Sequence, residues 1–80
     1  MPNLSTRKQD PALVSLGAAL RRLRVERDIS QEKLALLADV DRSHVGRVER
    51  GDNNVAFLTL LKLAYAMDVT AAEMMIEAGL

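Results

Sequence analysis

Residues 28–51 read DISQEKLALLADVDRSHVGRVERG, and this stretch decides the fold. It contains the tripeptides DIS at 28–30 and DVD at 39–41, and DVT at 68–70 repeats their pattern. In each tripeptide the aspartate tolerates the left-handed backbone conformation that ends a helix, and the third residue has a side-chain oxygen suited to capping the next helix. The pattern predicts short helices separated by tight turns.

Apolar side chains recur at helical spacing on both sides of these turns. In residues 11–27 the leucines lie three and four positions apart, and Asp10 followed by Pro11 suits the start of a helix. Thr70 and Glu73 have the spacing of a capping box. The sequence predicts an all-α fold of five helices, at about 11–27, 31–38, 42–50, 57–67 and 71–78.

The first nine residues are polar and aperiodic, which predicts a flexible arm at 1–9 and a single domain at 10–80. In the second helix, the residues expected to face the core are Leu34, Leu37 and Ala38. Val45 and Val48 form the expected buried side of the third helix, which begins after Asp41 as its N-cap. The residues expected on the free side of that helix are Arg42, Ser43, Gly46 and Arg47.

Composition excludes several classes of protein. The chain has no cysteine, so disulfides, thiolate metal sites and cysteine nucleophiles are excluded. It has neither a signal-peptide pattern nor an apolar run near the ~18 residues of a membrane span, which favours a cytoplasmic protein without a membrane partner. A single histidine, no glycine-rich phosphate loop and no Ser/His/Asp constellation predict no metal, no cofactor, no small-molecule ligand and no enzymatic activity.

The net charge of zero conceals an uneven distribution of charge. Residues 1–50 contain ten Lys/Arg and seven Asp/Glu, whereas residues 51–80 contain one Lys and four Asp/Glu. A basic first part suits a polyanionic partner, although small helical domains also show such an imbalance by chance. Charge alone therefore leaves the partner open.

Three strings carry a resemblance to a known family: ISQEKLA at 29–35, RVERG at 47–51 and LLKLAYAMDVTAAEM at 60–74. In this order and spacing, the chain from about residue 16 to residue 75 resembles the Xre/Cro family of phage-repressor-like helix-turn-helix domains. The short chain, with DRS at 41–43 and VER at 48–50, further resembles the controller proteins of restriction–modification systems. The resemblance implies a transcription regulator that binds a pseudo-palindromic operator in double-stranded DNA as a homodimer.

The resemblance also assigns roles to individual residues. Base-reading positions fall on Arg42, Ser43 and Arg47, and His44 lies beside them. Either arginine could instead bind only phosphate, and His44 could be a base contact, a phosphate contact or a solvated side chain. The implied phosphate contacts are Ser30, Gln31, Arg50, Asn53 and Asn54. Arg24 and Glu49 are expected to form a structural ion pair, with a solvated Glu49 as the alternative.

The fourth helix is apolar nearly all round, which indicates a second contact surface besides the core. The expected dimer-interface residues on the last two helices are Leu58, Leu61, Tyr65, Met74 and Met75. An alternative function uses the same surface: an antitoxin or other interaction module could mask a protein partner with it. Salt dependence separates the two hypotheses, because binding to phosphates weakens steeply with added salt and apolar masking does not.

Overall fold

A computed structural model describes residues 9–80, and the helices in that part of the chain confirm the all-α prediction. In order they are α1 (Pro11–Glu26), α2 (Gln31–Ala38), α3 (Arg42–Arg50), α4 (Phe57–Ala66) and α5 (Ala71–Ala78). The helices α1 and α4 each end one residue earlier than predicted. Residues 1–8 of the predicted arm lie outside the described residues. Between residues 9 and 80, no helix is long and apolar enough to cross a membrane.

The turns follow the aspartate pattern. Asp28, Asp39 and Asp68 all adopt the left-handed conformation, with φ of 56°, 58° and 60°. Two of the three following helices, α2 and α5, are then capped by the side chain of the third residue of the tripeptide. The Ser30 hydroxyl accepts the backbone N–H of the third helical residue of α2, and Thr70 completes a full capping box at the start of α5. These short helices therefore begin and end at positions that single residues determine.

The N-terminus of α3 departs from the prediction. Asp41 occupies the N-cap position, but its side chain makes no capping hydrogen bond. The N–H of His44, which a capping carboxylate could accept, donates instead to the Asp41 backbone carbonyl oxygen at 3.0 Å. The N–H of His44 in the first turn of α3 is thus paired with a backbone carbonyl oxygen. The prediction that the Asp41 carboxylate caps this helix is wrong.

The core lies between α1 and α5 on one side and α2 and α4 on the other, with α3 packed against α1 and α2. Its most deeply buried large side chains are Leu20, Leu34, Val45, Leu63, Met67 and Met74. Leu37 was predicted to join them but is 50% exposed. The buried side of α2 is centred between Leu34 and Ala38. Successive residues are about 100° apart around a helix, so Leu37 lies at the edge of this buried side.

A close helix crossing fixes α3 against α1. Gly17 lies in the middle of α1, and a methyl group at this residue would overlap the backbone carbonyl oxygens of Val48 and Glu49. Only glycine allows this approach without a shift of one backbone relative to the other. The crossing therefore determines how far the last turn of α3 lies from the body of the domain.

Candidate nucleic-acid interface

The helix α3 has one buried side and one exposed side. Val45 and Val48 are 0% and 2% exposed and anchor it in the core. Of the side chains predicted to read bases, Arg42, Ser43 and Arg47 are exposed, whereas His44 beside them is partly buried. The structure thus brings the three exposed side chains together on one surface of a helix whose other surface is held by the core.

Gly46 was expected on the free side of α3 and is instead buried. A Cβ at this position would lie 3.2 Å from Nη1 of Arg50 and 3.8 Å from Oε1 of Gln31. A Cβ here would press on the flexible end of the Arg50 side chain and make ordinary van der Waals contact with Gln31. Gly46 thus leaves room for the guanidinium of Arg50, one of the predicted phosphate-binding residues, to lie against α3.

The expected ion pair between Arg24 and Glu49 is present and nearly buried. Nε of Arg24 donates to Oε2 of Glu49 at 2.6 Å and Nη2 donates to Oε1 at 3.1 Å, while the two side chains are only 11% and 3% exposed. The remaining Nη1 of Arg24 donates to the backbone carbonyl oxygen of Ile29 at 2.8 Å. One arginine of α1 therefore holds both the α1–α2 turn and the last turn of α3.

Gln31, the first residue of α2, joins the same network. Its Nε2 donates to Oε1 of Glu49 at 2.9 Å. An amide nitrogen carries two N–H donors, so this bond orients the side chain while engaging one of them. We call Arg24, Glu49 and Gln31 the bracing network, because they connect α1, α2 and α3 behind the exposed arginines.

The loop after α3 contains a contact that the sequence did not reveal. Nε of Arg50 donates to Oδ2 of Asp52 at 3.0 Å, and Nε2 of Gln9 donates to Oδ1 of the same carboxylate at 2.6 Å. The backbone N–H of Gln9 also donates to the carbonyl oxygen of Gly51 at 2.7 Å. Gln9, the last residue of the predicted flexible arm, therefore contacts this loop, and the flexibility of the arm stays a prediction. The spacing of Arg50 and Asp52 suggests an ion pair, but nothing local in the sequence connects Gln9 to them.

The other residues assigned to phosphate binding surround this loop and the start of α2. Ser30 and Asn54 are exposed, and Asn53 is partly exposed. The Ser30 hydroxyl already accepts a backbone N–H of α2 at 2.9 Å, which leaves its own O–H as the donor available to a phosphate oxygen. The two sets of predicted phosphate contacts thus lie at the N-terminus of α2 and at the C-terminus of α3.

A second exposed surface lies on α4. Leu58 is 70% exposed and Tyr65 is 63% exposed, while Leu61 between them is partly exposed. Phe57, which the interface prediction omitted, is 66% exposed. We call Phe57, Leu58, Leu61 and Tyr65 the α4 apolar surface. They recur at the three- and four-residue spacing that places side chains on one side of a helix.

The methionines of α5 differ from each other. Met74 is 0% exposed and belongs to the core of the protomer. It has no surface to offer a second subunit, so its assignment to a dimer interface is corrected. Met75 is partly exposed, packs against the edge of the core and keeps some accessible surface. Sequence alone could not separate these neighbours, because both lie in one apolar run.

A family model described as helix-turn-helix matches residues 20–74, which include α2, α3 and the turn between them. The chain belongs to this helix-turn-helix family. Among relatives of this helix-turn-helix protein, the control protein C.MunI of Mycoplasma sp is 34% identical over 62 residues, or 76% of this chain and 84% of the relative. The control protein C.SmaI of Serratia marcescens is 34% identical over 65 residues, or 81% and 77%.

Solved structures show the same relationship. The restriction–modification controller protein C.AhdI from Aeromonas hydrophila superposes with a TM-score of 0.76 at 50% identity, covering 78% of this chain and 94% of that one. The clp gene regulator ClgR from Corynebacterium glutamicum superposes with a TM-score of 0.82 at 29% identity, covering 85% and 72%. The present protein is therefore a helix-turn-helix DNA-binding regulator homologous to the restriction–modification controller proteins, with a fold that other regulators share.

Proposed function

We propose that this protein is the controller of a restriction–modification system and binds a pseudo-palindromic operator as a homodimer. The observation that carries the proposal is the exposure of Arg42, Ser43 and Arg47 on a helix whose opposite side is buried. The similarity to proteins named as controllers supports the specific role. In this role the protein acts in the cytoplasm without a cofactor.

The proposed docking places α3 in the major groove, which is about 12 Å wide and admits one helix. Arginine suits guanine there because its planar set of N–H donors matches the O6 and N7 acceptors. Arg42 and Arg47 are the proposed guanine readers, and Ser43 contributes a hydroxyl that pairs with several bases. The bracing network holds α3 from behind, so the two arginines start from a fixed backbone.

Phosphate contacts at both ends of this helix pair would set the register of α3 on the duplex. Ser30 and Gln31 lie at the N-terminus of α2, where free backbone N–H groups favour an anion. Arg50, Asn53 and Asn54 lie beyond the end of α3 and would contact the backbone on the other side of the groove. Such contacts position a protein without reading sequence. They predict a marked decrease in affinity as salt concentration rises.

Dimerisation is proposed to occur through the α4 apolar surface, extended by Met75. Four neighbouring large apolar side chains form a continuous apolar patch on this small domain, and such patches commonly mark interaction sites. A two-fold arrangement would place two copies of α3 in successive major grooves, about 34 Å apart. The symmetry of the protein would then require an inverted repeat in the DNA.

Selection of bound sequences from a random DNA library tests the proposal directly. The expected result is an inverted repeat whose half-site centres are one helical turn apart, together with dimeric protein in sedimentation equilibrium. Enrichment of single half-sites by a monomer would contradict the homodimer. Failure to enrich any sequence would contradict operator binding.

The exposed α4 apolar surface also suits the second candidate function, an antitoxin or interaction module that masks a protein partner. Competition separates the two. Operator-bound dimer should exclude any partner that binds α4, because one surface cannot serve both contacts. Capture of a partner with salt-insensitive affinity, by a protein that binds no DNA, would favour the interaction module.

A further inference from the structure

His44 lies on α3 three residues before Arg47, so the two side chains are neighbours on the helix surface. Nη2 of Arg47 approaches Nδ1 of His44 at 3.3 Å. The other ring nitrogen, Nε2, has essentially no accessible surface and no hydrogen-bond partner among residues 9–80. The two nitrogens of one ring therefore have opposite surroundings.

The contact with Arg47 determines which nitrogen carries the proton. A guanidinium group only donates hydrogen bonds, so Nδ1 must accept, and the neutral ring then carries its hydrogen on Nε2. That N–H points into the protein, where leaving a donor unpaired costs free energy. Because Nε2 is buried and Nδ1 is engaged, neither nitrogen of His44 is presented to a base edge.

We propose that His44 is a positioning residue for Arg47: it holds the guanidinium on the DNA-facing side of α3 and does not itself read a base. The proposal rests on the proposed function, in which Arg47 reads the operator. Burial of Nε2 fixes the ring, and a fixed ring places the Nδ1 acceptor at a defined point. Nε2 is left unpaired because the ring lies where its other nitrogen, Nδ1, can accept from Arg47.

The energetic benefit is preorganisation. Arg47 is exposed, and a free arginine side chain loses rotamer freedom when it pairs with a base. A bond to His44 restricts the side chain before DNA arrives and uses one of its five N–H donors. The remaining donors include the two that a guanine requires. From the entropy of one immobilised side chain, the bond should raise the ratio of specific to non-specific affinity by roughly two- to tenfold.

Two variants of nearly equal shape isolate the acceptor. In His44→Asn, the side-chain oxygen can take the place of Nδ1, whereas His44→Leu has a similar branched side chain with no acceptor. We expect His44→Asn to retain most of the wild-type specificity ratio and His44→Leu to lose roughly two- to tenfold. Both variants remove the buried, unpaired N–H of His44, but Asn introduces a polar amide in this partly buried position, so His44→Leu should be at least as stable as His44→Asn in thermal unfolding. A packing role would give the opposite order of specificity, and equal ratios in both variants would also overturn the proposal.

A double-mutant cycle with Arg47→Ala tests whether His44 acts through Arg47. The DNA is the selected operator, with a scrambled duplex of equal length as the non-specific reference. In the Arg47→Ala background, His44→Leu should have no further effect on the ratio. An additional decrease of equal size would show that His44 contacts DNA independently and would overturn the inference. If Arg47→Ala itself leaves base preference unchanged, the proposed reader has failed instead.

The protonation state can be measured without DNA. Long-range proton–nitrogen correlation spectra of the free protein distinguish a protonated from an unprotonated ring nitrogen. At a pH where the ring is neutral, we expect an unprotonated Nδ1 and a protonated Nε2 in the wild type. The reverse tautomer would exclude Nδ1 as the acceptor and overturn the inference, whatever the DNA experiments show.

Discussion

The exposed sides of α3 and α4 are both turned away from the core, yet they are constructed differently. Behind the exposed arginines of α3 lies the bracing network, in which Glu49 is 3% exposed and accepts from both Arg24 and Gln31. Within the part of the chain that the structure describes, the α4 apolar surface has no comparable polar network behind it, and Leu58 is 70% exposed. Recognition of DNA requires side chains at fixed positions, whereas apolar association requires mainly area that can be removed from water. The difference therefore matches two different kinds of binding.

The largest expected effect comes from breaking the support of α3. In Glu49→Ala, the nearly buried Arg24 guanidinium would lose its carboxylate, which should lower the free energy of unfolding by about 3–5 kcal/mol. Urea denaturation measures this loss. The double variant Arg24→Met/Glu49→Leu is the control, because replacing both charges by apolar side chains should cost less than removing one. Equal or greater loss in the double variant would contradict the role assigned to the buried charge.

The next effect concerns the α4 apolar surface. Leu58→Lys should raise the dimer dissociation constant roughly a hundredfold, because two-fold symmetry places a charged residue in the interface twice and removes two buried leucines. Sedimentation equilibrium measures this change. Leu36→Lys is a matched control, since Leu36 is 73% exposed but lies on α2. A dimer weakened by Leu36→Lys and unaffected by Leu58→Lys would place the interface on α2.

A smaller effect is expected from the exposed side of α3. Arg47→Ala should cost about 1–3 kcal/mol of operator affinity and relax the preference at one base pair, because one of the proposed base-reading side chains is lost. Binding to a panel of single-base operator variants measures both changes. Lys62→Ala removes the same charge from α4 and should leave the preference intact. Unchanged preference in Arg47→Ala would remove this residue from the set of readers.

The smallest effect belongs to the capping box of α5. Hydrogen bonds from the backbone and side chain of Thr70 hold the pKa of Glu73 below its ordinary value. A depressed pKa means that the ionised carboxylate stabilises the folded state at neutral pH, and that this contribution is lost as pH falls through the lowered pKa. Thermal unfolding should therefore show a small extra loss in acid for the wild type that Glu73→Gln lacks. Parallel pH profiles for the two proteins would contradict this assignment.

Local signals predicted most of the fold, because helix ends depend on single residues. The aspartates at 28, 39 and 68 ended helices where the sequence indicated, and Thr70 capped α5. Local signals were insufficient where contacts between elements decide. Gly46 is covered by side chains from two helices, Arg50 of α3 and Gln31 of α2, and Gln9 contacts Asp52, which lies 43 residues further along the chain. Periodicity alone also predicted that Leu37 is buried and that Met74 is accessible to a second subunit. Both predictions were wrong, because the burial of these residues depends on how the helices pack.

The candidate site followed the same division. The exposure of Arg42, Ser43 and Arg47 could be predicted from their positions on one helix, whereas their base-reading roles come from the family resemblance and stay a prediction. The pairing of Arg24 with Glu49 could be predicted from the same resemblance. The surroundings of His44 could not, because which of its ring nitrogens is buried depends on packing around α3. Sequence therefore indicated which residues face outward, and the structure shows which of those are held in place.

The crossing at Gly17 has an evolutionary consequence. Since the backbone of α1 lies against the last carbonyl groups of α3, α3 has no room to move closer to α1. A lineage descended from this protein could acquire a new target sequence by exchanging the exposed side chains at 42, 43 and 47, while the framework that presents them stayed unaltered. Conversely, a change at residue 17 would shift α3 as a whole and disturb every proposed base contact at once. Changes in specificity are therefore expected at the few exposed positions of α3.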